Sequence, residues 1–479
     1  MNNNPSNDFN RRDFLKGTSL AAMMAMMGGI ELRAEDAPKP EETNAVPALT
    51  KIPVGPPVKY GIIGMGAWGR EVATELGKMP NAPVTAICDT YPSSLKRGTE
   101  VAPKAEKFDD YKKLLASPEV EAVVIATPTH KHKDIVLAAL AAGKHVYCEA
   151  PLAHTIEDAR AIAQAAKAAV KQVFQVGLQL RAYPKRFHIS NYMRSGAIGR
   201  PVMARAQSHK KQSWRRSSPN EDRELELNWR LDKKLSTGLI GEIGIHQLDL
   251  TNWFLDKRPK AVTGFGSTIR SYDDKRDVPD TVQAIIEYPG GANLMYDATI
   301  ASNFDSDYEL FHGDMATIMI RGGKAWTFKE VDSSLVGFEV YARKDSFFGE
   351  EGISLAAGAT GQGALKAGEK KAAATQSADA YPNSPLYYGL ETFTWNASLL
   401  GRAISDYIDN FKGGDKTAAM DADDVKALQE QFAIPTFKAQ IRPHADYQEG
   451  FEATVVAIKA NEAVMKKERI VLQDEWFKL

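Results

Sequence analysis

Three glycines carry the first chemical signal. In Lys59-Tyr60-Gly61-Ile62-Ile63-Gly64-Met65-Gly66-Ala67-Trp68-Gly69 a short apolar strand feeds Gly64-x-Gly66-x-x-Gly69, and a helix-competent stretch over 70–79 follows. Each glycine has its own task. Gly64 permits a tight turn, Gly66 lets a pyrophosphate approach the backbone, and Gly69 lets helix and strand pack closely. The free N–H groups at the helix start then face the phosphate charge. A second strand, 83–88, runs into Asp89, twenty residues beyond Gly69. A carboxylate there accepts hydrogen bonds from ribose hydroxyls. The pattern implies a dinucleotide held at Gly64, Met65, Gly66, Ala67, Trp68, Gly69 and Asp89. Asp89 repels a 2′-phosphate and so favours NAD, while Lys96 and Arg97, close by in sequence, leave NADP open. A glycine-rich turn without a ligand is the bland alternative, and the strand, helix and acid around the turn argue against it.

A second set of residue types suits proton transfer. Removing hydride from a carbinol carbon needs a base for the hydroxyl proton, and an imidazole titrating at about pH 6.5 fits that task. His246 has Glu242 four residues before it and Asp249 three residues after. On a helix Glu242 shares its face and is placed to pair with it, which would fix the tautomer; Asp249 is the alternative partner. For an isolated histidine, a structural role is the competing reading. Thr127, Pro128, Thr129 and His132 follow an apolar run, at the carboxyl edge where ligands of open α/β sheets bind. They are assigned to the cofactor pocket, although His132 also reads as a helix start with no ligand contact.

Cations beside aromatics recur in Asn228-Trp229-Arg230 and in Lys210-Lys211-Gln212-Ser213-Trp214-Arg215-Arg216. A pyranose offers a C–H face and a hydroxyl rim to such groups. Trp229 and Arg230 are therefore the substrate candidates, whereas Lys210 and Lys211 read as a solvated face. Arg181 and Tyr183 reach the cleft from the domain junction. His209, His312 and His444 lack metal-ligand spacing, and no metal site is expected. Cys88 and Cys148, both in expected strands, read as small buried hydrophobes without a disulfide framework.

The elements that must position these residues alternate over 58–176. Apolar runs at 120–127, 145–148 and 173–176 are separated by helical patterns at 132–142 and 156–170, the sign of a parallel sheet covered by helices. Beyond Pro201 come β-rich segments at 202–208, 262–269, 282–288, 294–300, 308–311 and 317–320, joined by turns such as Pro289-Gly290-Gly291 and Arg321-Gly322-Gly323. Helices return at 395–410 and 451–467. The expected fold is an α/β Rossmann domain over 58–181, followed by an α+β substrate and oligomerisation domain over 182–479 with a large, mostly antiparallel sheet. Residues 356–380, rich in Ala, Gly and Lys, read as a surface insertion.

A chain of 479 residues has room for two or three domains, and a net charge of −1 points to neither nucleic acid nor an anionic membrane. The N-terminus reads as an address. Asn10-Arg11-Arg12-Asp13-Phe14-Leu15-Lys16, followed by an apolar stretch over 20–30 too short to span a bilayer, matches a twin-arginine signal peptide over 1–34. That implies the translocation machinery as a partner and a periplasmic or otherwise exported location, with no membrane segment in the mature form. Residues 35–57, rich in proline and acid, form a linker. The twin-arginine route carries folded proteins, which suits a chain that loads its nucleotide before export.

Thr127-Pro128-Thr129-His130-Lys131-His132 and Gly143-Lys144-His145-Val146-Tyr147-Cys148-Glu149-Ala150-Pro151-Leu152-Ala153 resemble hallmark segments of the glucose–fructose oxidoreductase / inositol dehydrogenase (Gfo/Idh/MocA) family. Glu242-Ile243-Gly244-Ile245-His246-Gln247-Leu248-Asp249 is similar to its Asp-x-Gly-x-His-x-x-Asp motif, and Val176-Gly177-Leu178-Gln179-Leu180-Arg181 is a looser match. The resemblance covers 58–345. It implies an open-faced sheet, dimers or tetramers formed through that sheet, and sugar or cyclitol substrates. Glu149 then faces the nicotinamide ribose, and His246 becomes the catalytic base, with Glu242, Asp249 and Tyr183 in the catalytic set and Arg181 beside the cofactor. Two departures stand out. The family's Glu-Lys-Pro lysine falls on Ala150, and its motif aspartate falls on Glu242.

Three functions remain open at this point. The first is an exported NAD-dependent oxidoreductase of a sugar or sugar derivative with tightly held cofactor, in which Tyr183, Lys185 or a water supplies the missing relay. The second is a redox-neutral, NAD-dependent glycoside-cleaving enzyme. The third is a cofactor- or sugar-binding family member without catalysis.

Overall fold

The computed structural model describes residues 57–271, 273–331, 342–347, 350–355, 381–412, 414 and 420–479. The expected signal peptide, the linker up to 56 and the 356–380 insertion lie outside the described residues. The chain forms two compact units. One comprises 57–187, 203–309 and 381–479; the other contains 188–202, 310–331 and two further strands.

In the larger unit, six short strands form a sheet in which every pairing is parallel. They are β1 (Tyr60–Ile63), β2 (Val84–Cys88), β3 (Glu106–Phe108), β4 (Ala122–Ile125), β5 (His145–Cys148) and β6 (Phe174–Val176), in the order β3-β2-β1-β4-β5-β6. All four residues of β1 and of β4 are buried. A parallel sheet covered on both faces selects uniformly apolar strands, which is why these runs lack alternation. The sheet is built outward from β1 in both directions, so the strand order reverses between β1 and β4. The crevice at the carboxyl ends of those strands is where such folds bind ligands.

One wall of this core comes from far along the chain. The helix Pro385–Phe411, begun by Ser384 accepting from Tyr387 N–H with proline in its first turn, packs Leu386, Leu390, Phe393 and Ala397 against Tyr60, Val124 and Tyr147. The Tyr60 hydroxyl meets Thr394 Oγ1 at 2.7 Å. Its first ten residues were not foreseen as helix, and the expected division at 181/182 grouped it with the second domain. Its apolar face closes the nucleotide-binding sheet instead.

The same unit holds part of the second sheet. β7 (Pro201–His209), β8 (Ala261–Ser267), β9 (Thr281–Glu287) and β10 (Asn293–Thr299) lie in the order β7-β10-β9-β8, with the short strand Ile470–Val471 outside β8. The β8/β9 and β9/β10 pairings are antiparallel, and β7/β10 is parallel. Burial alternates along β9 and β10, as one-sided sheets require. The covered face meets the helix Tyr447–Lys466, with Val464 set against Gly264 and Gly266. Phe265, Ile285 and Met295 are exposed. In the smaller unit, β11 (Asp307–Gly313), β12 (Ala316–Arg321) and β13 (Lys324–Lys329) neighbour one another, and strands 350–355 and 342–347 extend them. The turn between β12 and β13 has positive φ at Gly322 and Gly323. No described helix is long and apolar enough to cross a membrane.

Candidate cofactor and catalytic site

The glycine turn has the geometry its spacing demands. Gly64 sits at φ +98°, and a Cβ there would lie 2.7 Å from the Ala126 carbonyl oxygen. At Gly69 a Cβ would come within 1.8 Å of the Gly64 carbonyl oxygen; at Gly66 it would meet nothing within 4 Å. Two glycines are thus required by the protein's own packing, and the third borders open space. The following helix, Ala67–Leu76, starts three residues earlier than expected. Arg70 N–H is the first to bond back, to Gly66 O. The N–H groups of Ala67, Trp68 and Gly69 therefore have no intrahelical acceptor and are available to an anion. Met65 contributes only backbone, because its side chain is fully buried.

Asp89 braces this turn. Its carboxylate accepts from Met65 N–H and from Tyr91 N–H, each at 2.8 Å. Burial raises its pKa, while those two N–H groups, Arg223 and Arg97 pull it back. A carboxylate has about four acceptor positions, so two remain for ribose hydroxyls. Beside it is a cavity of about 560 Å³ lined by Tyr91, Ser93, Lys96, Arg97, Arg216 and Leu227, among others. The Arg223 guanidinium lies 4.3 Å from the Tyr91 ring centre. Arg216 belongs to the basic run 210–216, which sequence alone gave no location.

The loops leaving β4 and β5 form the next wall. His132 is 1% exposed, and its Nδ1 and Nε2 each lie 3.0 Å from a carbonyl oxygen, of Pro151 and Thr127 respectively. It ties the two loops together and presents no free nitrogen to a ligand, so its expected cofactor contact gives way to a positioning role. Thr129 is also buried and donates through Oγ1 to Glu242 at 3.0 Å; Pro128 leads into the 3-10 turn Thr129–Lys131. Other polar atoms in these loops are buried with no hydrogen-bond partner among the described residues: Thr127 Oγ1, His130 Nδ1, Glu149 Oε1 and His154 Nδ1. Each such atom costs about 1–3 kcal/mol, and a molecule bound against these two adjacent loops would offset that cost by supplying the missing partners. Burial pushes the Glu149 carboxyl up to about 7, with the Trp68 indole opposing that shift.

His246 lies in the first turn of the helix Ile245–Leu255, half-buried, with no side-chain hydrogen bond to any described residue. Burial lowers its pKa and the Asp249 charge opposes this, leaving a neutral ring at neutral pH. The expected pairing with Glu242 is absent because the helix is not continuous. Gly238–Glu242 is a separate short helix, and the chain breaks at Ile243-Gly244, where a Cβ on Gly244 would strike Ile240 O at 2.3 Å. Glu242 accepts instead from Thr237 N–H at 3.0 Å and from Thr237 Oγ1 at 2.9 Å, as well as from Thr129. Asp249 does not orient His246 through a hydrogen bond either. It takes a bidentate pair from Arg181, with Nε–Oδ2 and Nη2–Oδ1 both at 2.9 Å. That commitment, with Glu449 4.0 Å from Arg181, makes Arg181 a scaffold residue where a cofactor contact was expected. Tyr183 is buried and stacked on Tyr388 with ring centres 5.7 Å apart, which argues for packing over the catalytic role expected of it.

Trp229 and Arg230 do join the loop wall. The Arg230 guanidinium covers the Trp229 ring at 4.4 Å, and its Nε is 4.0 Å from Glu242. Trp229 meets His130 edge-on, with ring centres 5.8 Å apart, and His130 meets His154 at 6.2 Å. Sequence reading passed over both His130 and His154. The available signal was position: His130 lies in the loop directly after β4, whereas His132 already begins a helix.

Comparison with known proteins agrees with this geometry. Residues 58–178 match the oxidoreductase family's NAD-binding Rossmann fold, and 188–320 match the GFO/IDH/MocA C-terminal domain. Inositol 2-dehydrogenase of Agrobacterium fabrum is 33% identical over 201 residues, 42% of this chain and 54% of that protein. The 2,7-anhydro-N-acetylneuraminate hydratase of Escherichia coli is 26% identical over 266 residues, 55% of this chain and 67% of that one. The chain thus spans about half to two thirds of the length of these curated relatives. A levoglucosan dehydrogenase structure in complex with NADH and L-sorbose shares the fold with TM-score 0.59 at 20% identity, covering 87% of this chain and 99% of the other. The paired domain matches, together with a glycine turn and acid disposed as an NAD site requires, make this chain a member of the Gfo/Idh/MocA oxidoreductase family.

Proposed function

We propose that the protein is an exported NAD-dependent oxidoreductase that acts on a sugar or polyol and retains its cofactor through turnover. The observation that carries this reading is the open cradle at Gly66, braced by Asp89 and adjoining four unpartnered polar atoms on the β4 and β5 loops. The N–H groups of Ala67, Trp68 and Gly69 hold the pyrophosphate, Asp89 the adenosine ribose, and Glu149 the nicotinamide ribose. Bound NAD supplies a two-electron acceptor. Arg230, exposed and held on the buried Trp229 ring, donates to the hydroxyl rim of the sugar. His246, neutral and with no hydrogen-bond partner among the described residues, hydrogen-bonds the substrate hydroxyl and accepts its proton. Export through the twin-arginine machinery is supported by Arg11-Arg12 with Phe14-Leu15-Lys16. A homodimer or homotetramer through the open sheet face is supported by exposed Phe265, Ile285 and Met295. Denaturing the purified mature protein and quantifying released nucleotide tests the reading: a stoichiometric NAD(H) load is expected, and an empty protein refutes retention.

Ala150 favours one other reading, redox-neutral chemistry. Transient oxidation of one sugar carbon acidifies its neighbour, which permits elimination and water addition with no net cofactor change. The hydratase among the relatives is named for a reaction of that net class. Glycoside cleavage by the NAD-loaded protein, without NADH accumulation, distinguishes this reading from net oxidation.

A further inference from the structure

Ala150 has no side chain that can carry a proton, and Glu242 and Asp249 are already engaged by Thr237, Thr129 and Arg181. The histidines of the β4 and β5 loops are not. His130 and His154 meet edge-on at 6.2 Å between ring centres, and the Nδ1 of each is buried without a partner. The contrast with His132, two residues from His130, is chemical. A carbonyl oxygen lies 3.0 Å from each of its nitrogens, whereas the Nδ1 of His130 and that of His154 have no hydrogen-bond partner among the described residues. A proton carrier requires that freedom. His130 also abuts Trp229, which carries Arg230 on its ring, so the pair continues the proposed sugar-binding wall.

We infer that His130 and His154 form a proton relay for substrate oxidation, handling the proton for which position 150 supplies no side chain. The inference rests on the oxidoreductase reading. In the forward step the substrate C–H bond breaks and its hydrogen leaves with both electrons to NAD+, giving NADH. The C=O bond forms as the hydroxyl O–H breaks, and that proton, accepted first by His246, passes to an unprotonated nitrogen of one ring, then to the other ring and to solvent. Both rings are neutral at neutral pH. Burial first, then Lys131, His154 and His132, hold His130 at about 4 against the pull of Asp232. His154 is lowered by burial and Lys133, with Asp158 and Glu242 opposing.

The test compares wild type with His130→Gln, His154→Gln and the double variant, each purified with its cofactor. Released NAD is quantified first. Single-turnover reduction of the bound nucleotide by myo-inositol and by levoglucosan is then followed from about pH 5 to about pH 9. An unchanged melting temperature is expected, because neither Nδ1 supports the fold, and rates are expressed per bound NAD so that a change in cofactor load does not enter them. The reduction rate should drop about 100-fold, the pH dependence of the remaining rate should change shape, and added imidazole should restore part of it. Rates within about threefold of wild type, with the same pH profile, overturn the inference alone. A wild-type protein empty of NAD, or loaded with NAD that neither polyol reduces, overturns the oxidoreductase reading and the relay with it.

Discussion

Two polar regions flank the proposed site, and they differ in how far the protein satisfies its own groups. Around Glu242 and Asp249, every carboxylate is engaged: Thr237 and Thr129 serve one, and a bidentate Arg181 serves the other. On the β4 and β5 loops, Thr127, His130, Glu149 and His154 keep buried atoms with no partner. Saturated groups hold a shape. Buried groups left unsatisfied cost stability, which a ligand returns when it supplies the missing partner. Substitutions in the first region should therefore damage the fold, and those in the second should damage function while sparing or even helping the fold.

His246 tests the boundary between the two regions, because it sits on the engaged side yet has no hydrogen-bond partner among the described residues. His246→Ala should lower turnover by about 10²- to 10⁴-fold with little change in melting temperature; an unchanged rate would remove it from the site. Arg181→Met should cost about 3–5 kcal/mol in denaturant unfolding, since it leaves the Asp249 carboxylate buried and uncompensated. Loss of NAD without loss of stability in that variant would return Arg181 to the cofactor.

Gly66→Ala and Gly69→Ala sharpen the contrast inside one turn. Gly66→Ala should leave stability within about 0.5 kcal/mol but lower the NAD load of the purified protein, whereas Gly69→Ala, with its Cβ driven onto Gly64 O, should fold poorly. Equal damage from both would contradict an open cradle at Gly66.

Glu149→Gln gives the smallest and most diagnostic effect. In the cofactor-free fold this carboxyl titrates at about 7, above the ordinary value of 4.5. The folded state thus keeps a proton that the unfolded chain has released, and stability falls as pH rises through that window. The glutamine variant of the cofactor-stripped protein should be about 1–2 kcal/mol more stable than wild type at about pH 8, and no more stable at about pH 4. Thermal melts at the two pH values check the sign; a loss at high pH would mean that the Trp68 indole and the Ala150 N–H outweigh the cost of burial.

Much of this was legible in the sequence, for local reasons. The glycine turn and Asp89 depend on spacing along some thirty residues, and the structure gives each glycine its own steric reason. The apolar runs of β1, β4 and β5 marked a covered parallel sheet because burial on both faces favours apolar side chains. The misplacements share one cause. Pairing Glu242 with His246 presumed a continuous helix, yet Gly244 fits against Ile240 O and Tyr296, a contact from a strand some fifty residues away. His132 was favoured over His130 by its motif position, but its nitrogens are taken by carbonyls of two different loops.

The sequence by itself determined the dinucleotide turn, the parallel sheet, the family and the absence of lysine at 150, because each is written in residue type or short spacing. Tertiary structure decided which polar groups were spent and which were left over. Arg181 meets Asp249 across 68 residues, and Thr129 meets Glu242 across 113. Whether a side chain is scaffold or reagent depends on partners that only the folded chain brings within hydrogen-bond reach.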